Sequence, residues 1–309
     1  DYDSKTKSNS KGIITGYVPH GLDHDIYKPL STNDSKYITI FNKIKKANDV
    51  DFVIFWNNRN IRRKQPGDVI LAFKLFNDKL TPEQRSKTML LMHTTAIDDN
   101  GTDLRAVAKN IAPECKVLFS EAKLPNAEDL NLMYNVVDVV VNIASNEGWG
   151  LSSTEALLSG TPIINNVTGG LQDQCRFEDE NGEWIRFSRE FATNHKGKYK
   201  KHGVWAQPVF PSNSSLQGSP STPYIYDDRC RPEDVADAML KWWQTPDDKR
   251  KEYGKAGRKF CLENGLTSEQ MCNKMIEMMD FLLESMPPQR ARYTFNKVEE
   301  IQYKNMGIS

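Results

Sequence analysis

From residue 51 to residue 165 the sequence repeats one alternation: a short apolar run, a turn-forming stretch, then a segment with helical spacing. The apolar runs are 51–56, Thr88–His93, 115–119, 136–143 and 162–165, each of buried-strand length and too short for a buried helix. Between them lie helix candidates at 69–76, Leu104–Ile111, 128–134 and Leu151–Leu158. Strands separated by helices pair in parallel, because only a long crossover returns the chain to the same end of the sheet. The pattern predicts an α/β fold: a Rossmann-like parallel sheet with helices on both faces. In such a sheet ligands bind beyond the carboxyl ends of the strands, where the connecting loops gather.

One of those loops carries most of the chemistry. Residues 142–172 read NIASNEGWGLSSTEALLSGTPIINNVTGGLQ: strand, glycine-bearing turn, helix, strand and a flexible Thr168-Gly169-Gly170 turn. Gly148 and Gly150 let backbone approach a ligand closely. Amides at the start of the helix point outward, and the helix dipole favours an anion there. Glu147 lies before the helix and Glu155 more than a turn inside it, so both can flank an anion without sitting on it. Glu155 falls among small and apolar residues, and a buried carboxylate needs partners such as sugar or ribose hydroxyls. The other loop, after the 51–56 strand, holds Arg59, Arg62, Arg63 and Lys64. Arginine offers a planar fork for two phosphate oxygens and lysine a mobile point charge. A diphosphate clamp on one rim is the combined expectation.

The totals limit the alternatives. The 41 basic and 41 acidic residues of the 309 cancel, so no overall field favours nucleic acid or an anionic membrane. No apolar run approaches the ~20 residues that cross a bilayer, and the polar start at 1–11 is no signal peptide. Cys115, Cys175, Cys230, Cys261 and Cys272 are odd in number and lack metal-ligand spacing, which favours a reducing, cytoplasmic compartment and no metal. The strand–helix rhythm stops at Cys175, and residues 175–226 read as an insertion with an ordered strand or two, such as 204–209. Pro232–Gln244, 247–262 and Ser268–Ser285 read as C-terminal helices, the last with methionines as core filler. Residues 289–309 read as a charged tail. His93, at a strand end, reads as a packed, hydrogen-bonded histidine.

The motifs together resemble the retaining glycosyltransferases of family 4, which have the GT-B fold. Glu147-Gly-Trp-Gly-Leu-Ser-Ser-Thr-Glu155, then Gly160-Thr-Pro-Ile-Ile and Thr168-Gly-Gly, look like that family's E-x7-E region. Arg59 with Lys64 resembles its Arg-x4-Lys phosphate clamp, and the stretch from Tyr17 to Pro29 its interdomain junction. The likeness covers about residues 16–170 and, more loosely, 232–284. It implies the donor-side domain of a GT-B fold, with 1–30 as junction, 31–285 as nucleotide-sugar domain and 286–309 as tail.

It also implies transfer of a sugar from a UDP- or GDP-sugar to a glycan, lipid or protein acceptor, with retention and without a permanent cofactor. Catalytic roles fall to Glu147, Arg59 and Lys64. Donor contacts fall to Gly148, Trp149, Gly150, Leu151, Glu155, Gly169 and Gly170, with Glu155 on the ribose and base choice near 121–125. An acceptor wall is then expected from a partner chain or an N-terminal domain outside this sequence. The alternatives are a nucleotide-sugar epimerase on the GT-B plan and a non-catalytic nucleotide-sugar-binding subunit.

Overall fold

A computed structural model of the chain describes residues 16–120, 126–188 and 190–285. The expected loose start at 1–11, the base-reading stretch at 121–125 and the tail at 286–309 lie outside them. So does most of the strand expected at 12–18, whose described residues, 16–18, carry no strand. The chain divides into two compact units, Pro19–Met271 and a second made of Asp1–Val18 with Cys272–Ser309.

The first unit is built on one parallel sheet. Strands β1 (Phe52–Asn57), β2 (Thr88–His93), β3 (Val117–Ser120), β4 (Val139–Asn142), β5 (Ile163–Asn166) and β6 (Ala206–Val209) stand in the order β3-β2-β1-β4-β5-β6. All neighbouring pairs are parallel, in register from Phe52 against Thr88 to Asn57 against His93 at the centre. The helices are α1 (Ser35–Phe41), running into a π-turn at Asn42–Lys46, α2 (Pro66–Asn77), α3 (Pro82–Ser86), α4 (Leu104–Ile111), α5 (Ala127–Val136), α6 (Leu151–Leu158), α7 (Gly169–Gln174), α8 (Pro232–Gln244), α9 (Asp247–Glu263) and α10 (Ser268–Ser285).

Successive side chains of a strand face opposite ways, and here both faces are covered. Val53 and Phe55 of β1 pack with Val140, Tyr134 of α5, Leu157 of α6 and Phe260 of α9. Phe52, Ile54 and Trp56 pack with Val139 and Val141, with Ile70 and Phe73 of α2, and with Met239 and Trp242 of α8. Two-sided burial is why the strands read as continuous apolar runs. At ~1.5–3 kcal/mol for each fully buried large apolar side chain, these two layers hold the loops of the rim in place.

Three expectations need correction: the strand at 136–143, the turn at 168–170 and the methionines of the last helix. Val136 does not open a strand; it closes α5, and β4 begins only at Val139. Asp138 sets that boundary, because its carboxylate accepts from the Val53 N–H at 2.7 Å, Lys45 at 2.7 Å and Arg250 at 3.2 Å. Gly169-Gly170 is not a loose turn but the start of α7. The strand expected at 204–209 is present as β6, which begins at Ala206 and forms an edge of the main sheet. The serine- and proline-rich part of residues 175–226 forms an antiparallel hairpin of β7 (Asn213–Ser219) and β8 (Thr222–Arg229). Met275 and Met279 are 47% and 55% exposed, so those methionines are not core filler.

Candidate functional site

The sheet order reverses between β1 and β4. From β1 the chain proceeds outward through β2 and β3, and from β4 outward through β5 and β6. The loops leaving these two neighbours therefore diverge at the carboxyl rim and leave a crevice, the usual ligand position in open α/β sheets. They are the basic loop and the glycine-bearing loop.

The basic loop is fixed from beneath by Asn60, which is fully buried. Its amide donates to the carbonyls of Thr95 at 3.3 Å, Ala96 at 3.2 Å and Thr102 at 2.7 Å, tying the loop to the one after β2. A 3-10 turn, Arg62–Lys64, follows. Gln65 then takes a left-handed conformation, φ 53° and ψ 42°, before Pro66 opens α2. Left-handed backbone is uncommon for a residue with a Cβ and costs about 1–3 kcal/mol, so the surrounding contacts must enforce it. One of them is the N–H of Ser145, at the start of the glycine-bearing loop, which donates to the Arg63 carbonyl at 2.8 Å.

Charge joins the loops as well. Lys64 Nζ lies 2.6 Å from Glu147 Oε2, with side chains 9% and 10% exposed. Arg63 Nη1 reaches the same oxygen at 2.6 Å and the Asn146 carbonyl at 2.9 Å, from a side chain 45% exposed. Burial holds the Lys64 pKa below its usual 10.5, partly offset by the hydrogen bond and charge of Glu147. Arg59 goes elsewhere: its side chain is 62% exposed and its Nε lies 3.5 Å from Asp98. The structure thus brings Lys64 to Glu147, with Arg63 rather than Arg59 as the second cation there.

The glycines divide by what surrounds them. Gly150 caps α6 with φ 88°, and a Cβ there would lie 2.4 Å from Leu171. At Gly169, φ 46°, a Cβ would lie 2.0 Å from the Glu147 carbonyl, and at Gly170 2.5 Å from Trp149 Cα. These three allow the protein to pack on itself. Of these four glycines Gly148 opens on space, with nothing within 4 Å of its Cβ position. The Gly169 N–H donates to Thr193 at 2.6 Å and the Gly170 N–H to the Glu147 carbonyl at 3.3 Å, so both amides are taken up internally. Trp149 donates its indole N–H to Thr154 at 2.8 Å, and its carbonyl accepts from Gln174 at 2.6 Å. Leu151, 39% exposed, opens α6, where the first amides have no acceptor within the helix.

Glu155 sits at the other end of the crevice, and its partners are neutral. Oε1 accepts from the Tyr27 hydroxyl at 3.3 Å; Oε2 accepts from the Tyr134 hydroxyl at 2.5 Å and from Asn57 Nδ2 at 3.4 Å. Asn57 also donates to the Tyr134 oxygen at 2.8 Å. Burial raises the Glu155 pKa, against the three hydrogen bonds that lower it, and burial beside this carboxylate raises both tyrosines. His93 ends β2 as a half-buried ring 3.3 Å from Ser120, its pKa lowered by burial.

The sequence marks Arg63 only as a member of the basic run, and it gives no site role to Tyr27, Tyr134, Asn57 or Gln174. The others take part through contacts between residues 20 to 130 positions apart, which no local pattern reveals. Among the described residues no group of three or more metal-ligating side chains forms, no helix is long and apolar enough to cross a membrane, and all five cysteines are free thiols.

No known protein family matches the chain. Over 129 residues it is 28% identical to the trehalose synthase of Pyrococcus horikoshii, a match spanning 40% of this chain and 29% of that protein. Among solved structures it is similar to sucrose-phosphate synthase from Thermosynechococcus elongatus, with TM-score 0.59 and 17% identity over 90% of this chain and 55% of that one. It is also similar to the trehalose 6-phosphate synthase of Burkholderia multivorans, with TM-score 0.59 and 11% identity over 92% and 56% of the two chains. The Anabaena protein HepE in complex with UDP and glucose gives TM-score 0.58 and 15% identity over 85% and 56%. The chain spans just over half the length of these solved structures and under a third of the curated relative. At these identities the likeness establishes the fold: the parallel, two-faced α/β architecture of GT-B glycosyltransferase domains.

Proposed function

We propose that the chain is the donor-binding half of a retaining glycosyltransferase of the family 4 type, taking a nucleotide-diphosphate sugar. The observation that carries this reading is the convergence of Lys64 and Glu147, 2.6 Å apart, beside the start of α6 at the reversal point of the sheet. Lys64 and the amides of Trp149, Gly150 and Leu151 hold the β-phosphate, and Arg63 or a reoriented Arg59 adds the second positive charge. Both stabilise charge that builds as the nucleotide departs. Glu147, released from Lys64 when phosphate arrives, accepts from hydroxyls of the transferred sugar. The bond from the anomeric carbon to the β-phosphate oxygen breaks, and the acceptor oxygen bonds to that carbon on the same face. The acceptor proton passes to the departing phosphate.

UDP is the preferred nucleotide in this reading, supported by the HepE complex. The acceptor wall comes from a separate segment or chain, as the half-length match to the solved structures suggests. Isothermal titration with UDP and GDP tests the reading. Binding of one of them, weakened in Lys64→Ala, supports it; a folded protein that binds neither overturns it.

A further inference from the structure

At the end of the sheet opposite the rim lies a cavity of about 670 Å³, within the size range of small-molecule sites. Residues 49–51, which precede β1, line it, as do Val137 and Asp138 before β4 and Pro162 before β5. The six residues of β1, at a rise of ~3.3 Å each, put about 20 Å between this cavity and the crevice. No residue of the basic loop or the glycine-bearing loop lines it.

The charges around the cavity do not balance. Lys45, Lys46, Arg250, Lys251 and Lys255 line it, against Asp49, Asp51, Asp138 and Asp247. Most are spent on one another. Asp138 takes Lys45 and Arg250, and Asp247 takes Lys251 at 2.6 Å and Arg250 at 3.4 Å. Asp49 is answered by Lys87, which does not line the cavity, so five cations stand against three carboxylates. That excess favours an anion. Lys46 and Lys255, both exposed, form no ion pair among the described residues, and Asp51 is the carboxylate left over. The apolar wall is aromatic: Lys46 lies over the Phe41 ring at 5.9 Å, and Phe41 stacks on Tyr37 with centroids 5.9 Å apart and 22° between the planes. Tyr37 is half-buried, and its hydroxyl makes no hydrogen bond among the described residues.

We propose that this cavity is a second ligand site, built for a phosphorylated sugar. Lys46 and Lys255 take the phosphate as mobile point charges. The Tyr37–Phe41 pair covers the apolar face of the sugar ring, while Asp51 and the Tyr37 hydroxyl bind its hydroxyls. The assignment is independent of the donor reading, because the two sites share no residue.

The test is titration calorimetry of the full chain with glucose 1-phosphate, glucose 6-phosphate, glucose and inorganic phosphate, each with and without saturating UDP. A sugar phosphate should bind more tightly than glucose or inorganic phosphate, with an affinity that UDP leaves unchanged. The double variant Lys46→Glu with Lys255→Glu should lose about tenfold or more of that affinity, as for charged hydrogen bonds, and bind UDP as before. Tyr37→Phe should lose about threefold or more, as for one neutral hydrogen bond. All three side chains lack hydrogen-bonded partners in the chain, so the variants should keep the wild-type circular dichroism spectrum. The proposal is overturned if neither sugar phosphate binds, if UDP competes with them, or if the double variant binds them like the wild type. Inorganic phosphate or glucose binding as tightly as the sugar phosphates overturns it too. Failure of UDP and GDP to bind overturns the donor reading instead, and the variants still decide this one.

Discussion

Glu147 and Glu155 are eight positions apart and of one residue type, yet their surroundings are opposite. Glu147 faces two cations on one oxygen, Lys64 and Arg63, each at 2.6 Å. Glu155 has only two phenols and an amide. The first end of the crevice is held by ionic contacts that an arriving phosphate can take over, charge for charge. The second is held by neutral donors, which cost less to bury but leave a carboxylate without a counter-ion. Spacing in the sequence predicts that two carboxylates flank a site; solvation decides that they behave differently within it.

The comparison can be broken or sharpened by substitution. Gly169→Ala has the largest expected effect, since a Cβ would stand 2.0 Å from the Glu147 carbonyl on left-handed backbone. A loss of about 3 kcal/mol or more is expected from strain and overpacking together, measured by urea unfolding. The change should displace the Glu147 loop and leave the tyrosine end intact. Lys64→Ala should weaken UDP binding by about 1.5–3 kcal/mol in titration calorimetry, the loss of a hydrogen bond between charged groups. Unchanged affinity would remove the ionic end from the site.

Glu155→Gln probes the other end through pH. Burial raises the folded pKa of Glu155 above its usual 4.5, so the native state holds this proton more tightly than the unfolded chain. The associated stability is complete below that value and is lost as pH rises through the folded pKa. Glutamine carries no such penalty, so Glu155→Gln should raise the melting temperature at about pH 7.5 and the gain should vanish toward about pH 4. A gain independent of pH would show that Glu155 is not strained by its burial. Arg63→Ala should have the smallest effect, under about 1 kcal/mol on stability, because its pair with Glu147 is half-exposed and Lys64 remains. A loss as large as that for Lys64→Ala would make the two cations equal partners.

Much of the fold was legible because burial on both faces writes each strand as an apolar run. β2, α4, α6, α8 and α10 fall where the periodicity places them. The misplaced boundaries are those set by distant contacts. β4 starts late because Asp138 answers Lys45 and Arg250, and the strand at Ala206 was readable while its place at the sheet edge was not. α3 carried a readable signal, the reciprocal cap of Thr81 and Gln84. At the site, glycine positions and charge type were local and visible. Which arginine reaches Glu147 was not, because Asn60 and the left-handed Gln65 turn the basic run so that Arg59 meets Asp98 and Arg63 meets the loop. The partners of Glu155 come from the stretch between Tyr17 and Pro29, from β1 and from α5, and only the folded chain assembles them.

The bond from the Ser145 N–H to the Arg63 carbonyl has a thermodynamic consequence. With the β1 and β4 loops stitched together before any nucleotide arrives, the entropy of ordering them is surrendered during folding rather than on association. A ligand meeting so rigid a cradle keeps more of its contact energy as affinity. Cutting that stitch, by a proline at Ser145, should therefore appear first as a more negative entropy of nucleotide binding.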